Sequence, residues 1–172
     1  MGSRTSSYWL LQTIENARDI DVAWIIVTGS IGFCVVSGLV FVEVGKVAPK
    51  NVITSIFKNL LCIAIATISF WFVGYSFAFG KDRTGFIGDD KRSTIGAAKV
   101  WASPCNIRGS DGWENWFFFW VYTATATLTA TYGLAERTKI AAYIMFALIF
   151  TLFIHPIVMH WVWGTGKFPS PL

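Results

Sequence analysis

The chain has few charged residues and few cysteines. Charged side chains make up 14% of its 172 residues, and it contains three cysteines and two histidines. So few thiols predict neither a disulfide framework nor a cysteine-rich zinc site. The sequence also lacks a phosphate-cradling glycine loop, a Ser/His/Asp set and paired catalytic carboxylates, so we expect neither an enzyme nor a bound cofactor. Its net charge of +4 comes from loops, and without a basic face carrying stacking aromatics, nucleic acid is not an expected partner.

Long apolar runs dominate what is present. Hydrophobic residues account for 54% of the chain. Four stretches carry no Asp, Glu, Lys or Arg: Val22 to Val42, Asn59 to Gly80, Asn115 to Ala135 and Ile140 to Gly166. Each is long enough to cross roughly 30 Å of hydrocarbon at about 1.5 Å of helix rise per residue. The sequence therefore predicts an all-α protein, a polytopic bundle of four transmembrane helices in a lipid bilayer.

The stretch TATATLTAT, residues 123–131, has threonine at every second position, and alternation of polar and apolar residues is typical of a half-buried strand. It lies inside the third charge-free run, where an isolated strand would leave backbone groups unsatisfied in lipid. We therefore predict a helix. On a helix the threonines divide into two stripes: one continues from Phe118 and Tyr122 to Thr125 and Thr129, and the other is made of Thr123, Thr127 and Thr131.

The predicted organisation is a polar tail at 1–18, a membrane domain at 19–166 and a divergent tail at 167–172. Helices are expected at about 22–44, 57–80, 114–135 and 138–162, with a long loop from Lys81 to Glu114. Residues 1–18 lack the apolar core of a signal peptide, so we expect no cleavage and a first helix that acts as its own insertion signal. Counting Lys and Arg in the loops leaves the orientation of the chain open.

Three features are candidates for chemistry. The stripe Phe118, Tyr122, Thr125 and Thr129 could line a conduction path, although ordinary packing of small residues explains a lone stripe better.

Glu43 stands at the end of the first helix; a functional acid and a structural pairing with Lys46 or Lys50 are equally supported. The motif HWVWG, residues 160–164, offers indoles for cation-π contacts or for anchoring at the membrane interface, and anchoring is preferred for Trp161.

The two histidines, His155 and His160, are five residues apart, which does not match a helical metal pair, and a structural role is expected for both.

Several motifs taken together resemble the ammonium transporter/Rhesus family. These are GLVFVEVGKVAPKNV, FWFVGYSFAFG, GFIG, GLAERTKIAAYIMF and HPIVMHWVWG, which extend in order over about residues 19–166. The resemblance implies a trimer of eleven-helix subunits in the plasma membrane, of which four helices are visible, with the amino terminus and the long loop outside. It also implies that ammonium is recruited in an aromatic vestibule and passes as ammonia through a hydrophobic pore.

The resemblance assigns roles to individual residues. Trp163 matches the vestibule tryptophan that binds ammonium through cation-π contacts. Tyr122 matches one of two gating phenylalanines, and Phe118 lies one turn further out, so the resemblance favours the pore interpretation of this stripe over simple packing.

The resemblance also has a limit. The family's next helix would bring a buried aspartate and then the first of two pore histidines, whereas this chain ends in KFPSPL after HWVWG. His155 and His160 precede that position and are not substitutes for it. We therefore expect ammonium transport that is incomplete in this chain alone, as part of a homotrimer or of an assembly with full-length members. The alternative is a non-conducting membrane protein that assembles with full-length transporter subunits.

Overall fold

A computed structural model describes residues 2–79, 113–134 and 138–163, and every element in these ranges is helical. The α-helices are α1 (Gly2–Lys46), α2 (Val52–Ser69), α3 (Tyr75–Phe79), α4 (Trp113–Tyr132), α5 (Ile140–Ile149) and α6 (His155–Trp163). A 3₁₀ turn at Pro49–Asn51 precedes α2, and π-helical turns at Phe70–Gly74 and Phe150–Ile154 join α2 to α3 and α5 to α6. The all-α prediction is confirmed.

Two helices begin earlier than the sequence predicted. α1 starts at Gly2, so the expected polar tail at 1–18 is helical from its second residue; no proline or glycine interrupts residues 3–28. In the sequence, the charged Lys58 directly precedes the second apolar run. It is nevertheless buried inside the helix, so α2 starts at Val52 rather than near residue 57. Most of the predicted loop Lys81 to Glu114, with Cys105, and the tail 167–172 lie outside the described residues.

Three helical segments are long and apolar enough to cross a membrane: Leu11–Lys46, Pro49–Phe79 and Ile140–Trp163. The 20-residue α4 is not among them, because its tryptophan, tyrosine and threonine side chains lower its mean hydropathy. Its assignment as a fourth span depends on packing instead.

The contacts of α4 show that it runs parallel to α1. Near one end of the pair, Gly29 lies against the ring of Phe117. At the other end, the Lys46 ammonium stands 4.8 Å from the centre of the Tyr132 ring. From the first contact to the second, the residue numbers increase in both helices, so α1 and α4 run in the same direction. α4 therefore lies beside α1 in the same part of the bundle.

The remaining helices run the opposite way. Trp120 of α4 donates a hydrogen bond to the Thr67 hydroxyl of α2 at 2.8 Å, and α2 meets α5 where Lys58 lies over the Tyr143 ring. Further along, His160 of α6 contacts the Ala78 carbonyl of α3. The segments Pro49–Phe79 and Ile140–Trp163 are thus parallel to each other and antiparallel to α1 and α4, which is the alternation expected of four consecutive spans.

Two hydrophobic clusters hold the helices together. The larger joins α1, α2, α4 and α5 through Val36, Cys62, Val121, Ala124, Leu128, Tyr143 and Ala147. The smaller, made of Phe70, Tyr75, Ala78 and Met159, joins the far end of the second segment to α6. Both clusters are small relative to the many large apolar side chains left exposed on the outer surface, as expected where lipid replaces water around the bundle.

The threonines of α4 separate into two faces. Thr123, Thr127 and Thr131 are fully buried, whereas Thr125 is half-buried and Thr129 is exposed. All five hydroxyls donate to a carbonyl of the preceding turn, at 2.7–3.0 Å. These bonds satisfy the hydroxyl protons inside the helix, so the alternating sequence needs no strand partner.

Candidate functional site

A groove between α4 and α6 brings several of the predicted site residues together. The cavity has a volume of about 240 Å³. Its lining residues are Phe119, Tyr122, Thr125, Ala126, His155, Val158, Met159, Val162 and Trp163. We call it the α4–α6 groove. Tyr122 and Thr125 of α4 share this groove with Trp163 of α6, which is distant in the sequence, because α4 and α6 run antiparallel.

Aromatic rings form a continuous chain along one side of the groove. The Trp163 and Phe119 ring centres lie 5.9 Å apart in an edge arrangement, and Phe119 is followed by Phe118 at 5.5 Å. Phe118 then contacts Tyr122 at 4.8 Å. Tyr122 and Trp163 are both about half exposed (51% and 54%), so their rings are accessible to a ligand in the groove. Their π faces are suited to a small cation.

Phe119 lines the groove in place of Phe118, the phenylalanine that the sequence placed on the stripe. Phe119 lines the groove, whereas Phe118 touches it only through its contacts with Phe119 and Tyr122. Consecutive residues on a helix are separated by about 100°, so two adjacent phenylalanines cannot share one face. The spacing of the stripe showed which residues share one face of α4 but not how α4 is rotated toward α6. Phe119 was therefore missed.

The two threonines of the stripe have different environments. Thr125 lines the groove, and its hydroxyl donates to the Val121 carbonyl at 2.9 Å. Thr129 is exposed one turn further and is not among the lining residues; its hydroxyl donates to the Thr125 carbonyl at 2.8 Å. Both hydroxyl protons are engaged with the backbone, so these side chains present methyl groups and oxygen lone pairs.

The two histidines lie on different sides of α6. Their five-residue separation corresponds to a rotation of about 140° around the helix. His160 is fully buried, and its Nδ1 donates to the Ala78 carbonyl at 2.8 Å, which is a structural contact between α6 and α3. His155 instead lines the groove, where its Nδ1 lies 3.4 Å from the Thr123 hydroxyl oxygen. Sequence reasoning grouped the two histidines and missed this difference.

Glu43 lies at the opposite end of the bundle from the groove. It is buried, and its Oε1 accepts hydrogen bonds from the Ser55 hydroxyl at 3.0 Å and from the Lys58 ammonium. Neither Lys46 nor Lys50, the partners considered from the sequence, forms this pair; Lys46 lies over the Tyr132 ring instead. Lys58 was overlooked because it sits fifteen residues away, across the link between α1 and α2.

A second cavity, of about 160 Å³, adjoins this ion pair. Its lining residues are Val47, Asn51, Thr54, Ser55, Lys58, Thr138, Ile140 and Tyr143. These residues come from the links before α2 and α5 and from the first turns of the two helices, so both short links lie at one end of the bundle. Within residues 2–79, 113–134 and 138–163, no three His, Cys, Asp or Glu side chains are placed to hold a metal ion, and Cys34 and Cys62 are free thiols.

Comparison with known proteins identifies the relatives of this chain. Residues 23–170 match the Ammonium Transporter Family. The chain is 33% identical over 145 residues to ammonium transporter 3 of Dictyostelium discoideum, an alignment that covers 84% of this chain and 31% of that protein. It is 30% identical over 151 residues to ammonium transporter Amt2 of Archaeoglobus fulgidus, covering 88% of this chain and 30% of that one.

A solved structure shares the fold. The structure described as a sensor Amt protein superimposes with a TM-score of 0.76 at 30% sequence identity, over 92% of this chain and 37% of that chain. The chain therefore spans about a third of the length of the relatives it matches.

Proposed function

Because the chain belongs to the ammonium transporter family, we propose that it moves ammonium across a membrane and recruits the ion at the α4–α6 groove. The observation that carries this proposal is the meeting of two half-exposed rings, Tyr122 and Trp163, in one groove between membrane-embedded helices. The chain is a multi-pass membrane protein, and membership in a family of transporters supports transport rather than an enzymatic reaction.

Recruitment uses the faces of Trp163 and Tyr122. A cation held against an indole or phenol ring gains about 0.5–2 kcal/mol, more where water is excluded. Apart from Thr125 and His155, the remaining lining is apolar and offers a cation no polar partner. Trp163 is assigned the principal role because the indole has the strongest cation-π face, and Tyr122 supports the ion from α4.

Passage beyond the recruitment site is proposed to involve ammonia. Transferring an ion into an apolar path costs far more free energy than transferring a neutral molecule. The ammonium ion therefore releases its proton before passage, and the proton crosses by a route separate from that of ammonia. Phe118 and Tyr122, in contact at 4.8 Å, form the gate. Thr125 and Thr129 continue the path from this gate along α4 and keep it narrow but unobstructed, since their hydroxyls are folded back onto the helix.

A complete path is proposed to need more helices than this chain supplies. The groove is open on one side, and its rings are half exposed, so further protein must cover it to exclude lipid and water. We propose that this cover comes from the family's remaining helices, in a homotrimer or in an assembly with full-length members, at the plasma membrane. No feature of the described helices favours a non-conducting partner protein over transport.

The test is uptake of radiolabelled methylammonium by cells that lack their own ammonium transporters. The 172-residue chain is expressed alone and as a chimera in which it replaces the matching region of the Dictyostelium transporter. We expect background uptake by the chain alone and saturable uptake by the chimera, with Trp163→Leu reducing chimera uptake about tenfold. A chimera that reaches the membrane in normal amounts but shows no uptake would contradict the proposal, and so would an unaffected Trp163→Leu variant.

A further inference from the structure

His155 is a polar group in an otherwise apolar part of the α4–α6 groove. It is the first residue of α6, directly after the π-helical turn Phe150–Ile154, and it lines the cavity together with Tyr122 and Trp163. The Phe150 ring packs beside it with ring centres 6.0 Å apart. The imidazole is half-buried and held between this ring and α4.

The hydrogen bonds around His155 favour one of the two tautomers of its neutral ring. The Thr123 hydroxyl has one proton, and it donates that proton to the Phe119 carbonyl at 2.9 Å. A hydrogen bond between this oxygen and His155 Nδ1, a long contact at 3.4 Å, is then donated by the ring nitrogen. A neutral imidazole with its proton on Nδ1 has a lone pair on Nε2.

We propose that Nε2 of His155 accepts a hydrogen bond from an ammonium or methylammonium ion held against the Tyr122 and Trp163 rings. This inference rests on the function proposed above and adds a specificity-determining residue to the same groove. Aromatic faces attract any small cation, including potassium. A directional acceptor rewards only an ion that carries N–H donors, so His155 distinguishes ammonium from potassium by a bond that potassium cannot form.

The chain's two histidines provide an internally controlled experiment. The full chain, labelled with ¹⁵N-histidine and reconstituted in lipid nanodiscs, gives signals from His155 and His160 alone. The ¹⁵N shifts report the protonated nitrogen of each ring, and we expect Nδ1–H at both. Titration with methylammonium chloride should shift His155 Nε2, whereas His160, buried against Ala78, should not move. Potassium chloride at the same concentrations should leave both rings unchanged.

Two substitutions separate the acceptor from the shape of the side chain. His155→Phe keeps a planar ring but removes the acceptor, and it should weaken methylammonium binding about tenfold, as expected for a lost hydrogen bond to a charged group. His155→Gln places an oxygen acceptor near the position of Nε2 and should bind within about threefold of the natural chain. Binding to the variants is followed by ¹⁵N labelling of the tryptophan indoles, and helix content by circular dichroism confirms that each variant is folded.

Each result distinguishes this inference from the proposed function. Methylammonium-induced shifts of the Trp163 indole with an unmoved His155 Nε2 would overturn the inference and leave recruitment at the groove intact. Equal binding by His155→Phe and His155→Gln would overturn it as well. If neither Trp163 nor His155 responds, recruitment in the groove fails, and the role of His155 fails with it.

Discussion

Lys58 and Glu43 form an ion pair that is almost completely buried, with side-chain exposures of 4% and 3%. Removing one partner of such a pair leaves an uncompensated charge, which typically costs about 3–5 kcal/mol, whereas replacing both with neutral side chains can cost little. We therefore expect Lys58→Met to be strongly destabilising and Lys58→Met/Glu43→Gln to recover much of the loss. Thermal unfolding in detergent, followed by circular dichroism, measures both.

Lys50 provides the matched control for this pair. It lies on the link between α1 and α2, is exposed, and is not the partner of Glu43, so Lys50→Met should change the unfolding midpoint very little. If Lys58→Met lowered the midpoint no more than Lys50→Met, the buried pair would not contribute to the stability of the bundle.

Thr125 offers a test of the path along α4. Its side chain lines the groove directly below Tyr122, so Thr125→Leu adds bulk to the proposed path, whereas Thr125→Val keeps the size and removes only the hydroxyl. Because that hydroxyl already donates to the Val121 carbonyl, it is not needed by the ligand. We expect the methylammonium uptake of the chimera to fall about tenfold or more with Leu and to stay within about twofold with Val. Equal effects of the two substitutions would show that Thr125 does not restrict the path.

At the level of single residues, the sequence predicted which side chains share a helix face but not which side chains of different helices meet. Helical spacing placed Tyr122 and Thr125 on one face, and in the structure both line the same groove as Trp163. The sequence could not place Phe119 or His155 in the groove, because packing on the other helices sets how α4 and α6 are rotated about their axes. The partner of Glu43 was likewise hidden, because Lys58 reaches it only after α1 and α2 fold against each other.

The contact between α1 and α4 depends on a small residue in α1. A Cβ atom on Gly29 would lie 2.8 Å from a ring carbon of Phe117, closer than side chains pack, whereas Gly38 has open space around it. Small residues permit close helix approach in membranes, where association depends on packing. We expect Gly29→Val to destabilise the bundle by about 1–3 kcal/mol, as overpacking does, and Gly38→Val to have little effect.

The two glycine variants can be compared by thermal unfolding in the same detergent. Both substitutions place valine inside α1, so any general cost of a β-branched residue in the helix affects them alike. A difference between them therefore reports the contact with Phe117. If Gly29→Val and Gly38→Val unfold at the same temperature, close packing of α1 on α4 does not determine stability.

At the level of elements, helices were predictable wherever a long apolar run excluded the alternatives. The helical state of residues 123–131 followed from the cost of unpaired backbone in lipid. The π-helical turns were not predictable, because they arise where two helices pack. Gly74, at the end of one turn, places its backbone close to Thr151 in the other: an added Cβ would lie 3.4 Å from the Thr151 carbonyl oxygen. Such a contact between distant segments leaves no periodic signal in either sequence.

The whole molecule is ordered by the alternating directions of its four segments. Hydropathy alone selects three of them, but α4 lies parallel to α1 from Gly29 to Lys46 and must cross the same layer if α1 does. Four crossings put the links around Lys50 and Thr138 on one side of the membrane, as their shared cavity indicates. Three crossings, with α4 on the surface, would put these links on opposite sides.

Labelling with a membrane-impermeant maleimide distinguishes four crossings from three. Trp9→Cys, Lys50→Cys and Thr138→Cys, all at exposed positions, are introduced singly after the three natural cysteines have been replaced by alanine. The family resemblance puts the amino terminus outside, so we expect Trp9→Cys to be labelled in intact cells, and Lys50→Cys and Thr138→Cys only after permeabilisation. If α4 crosses the membrane, Lys50→Cys and Thr138→Cys must behave alike in either orientation, since two crossings, by the segment Pro49–Phe79 and by α4, lie between them. Labelling of Thr138→Cys from the same side as Trp9→Cys would remove α4 from the membrane, and the groove between α4 and α6 could then not lie on a path across it.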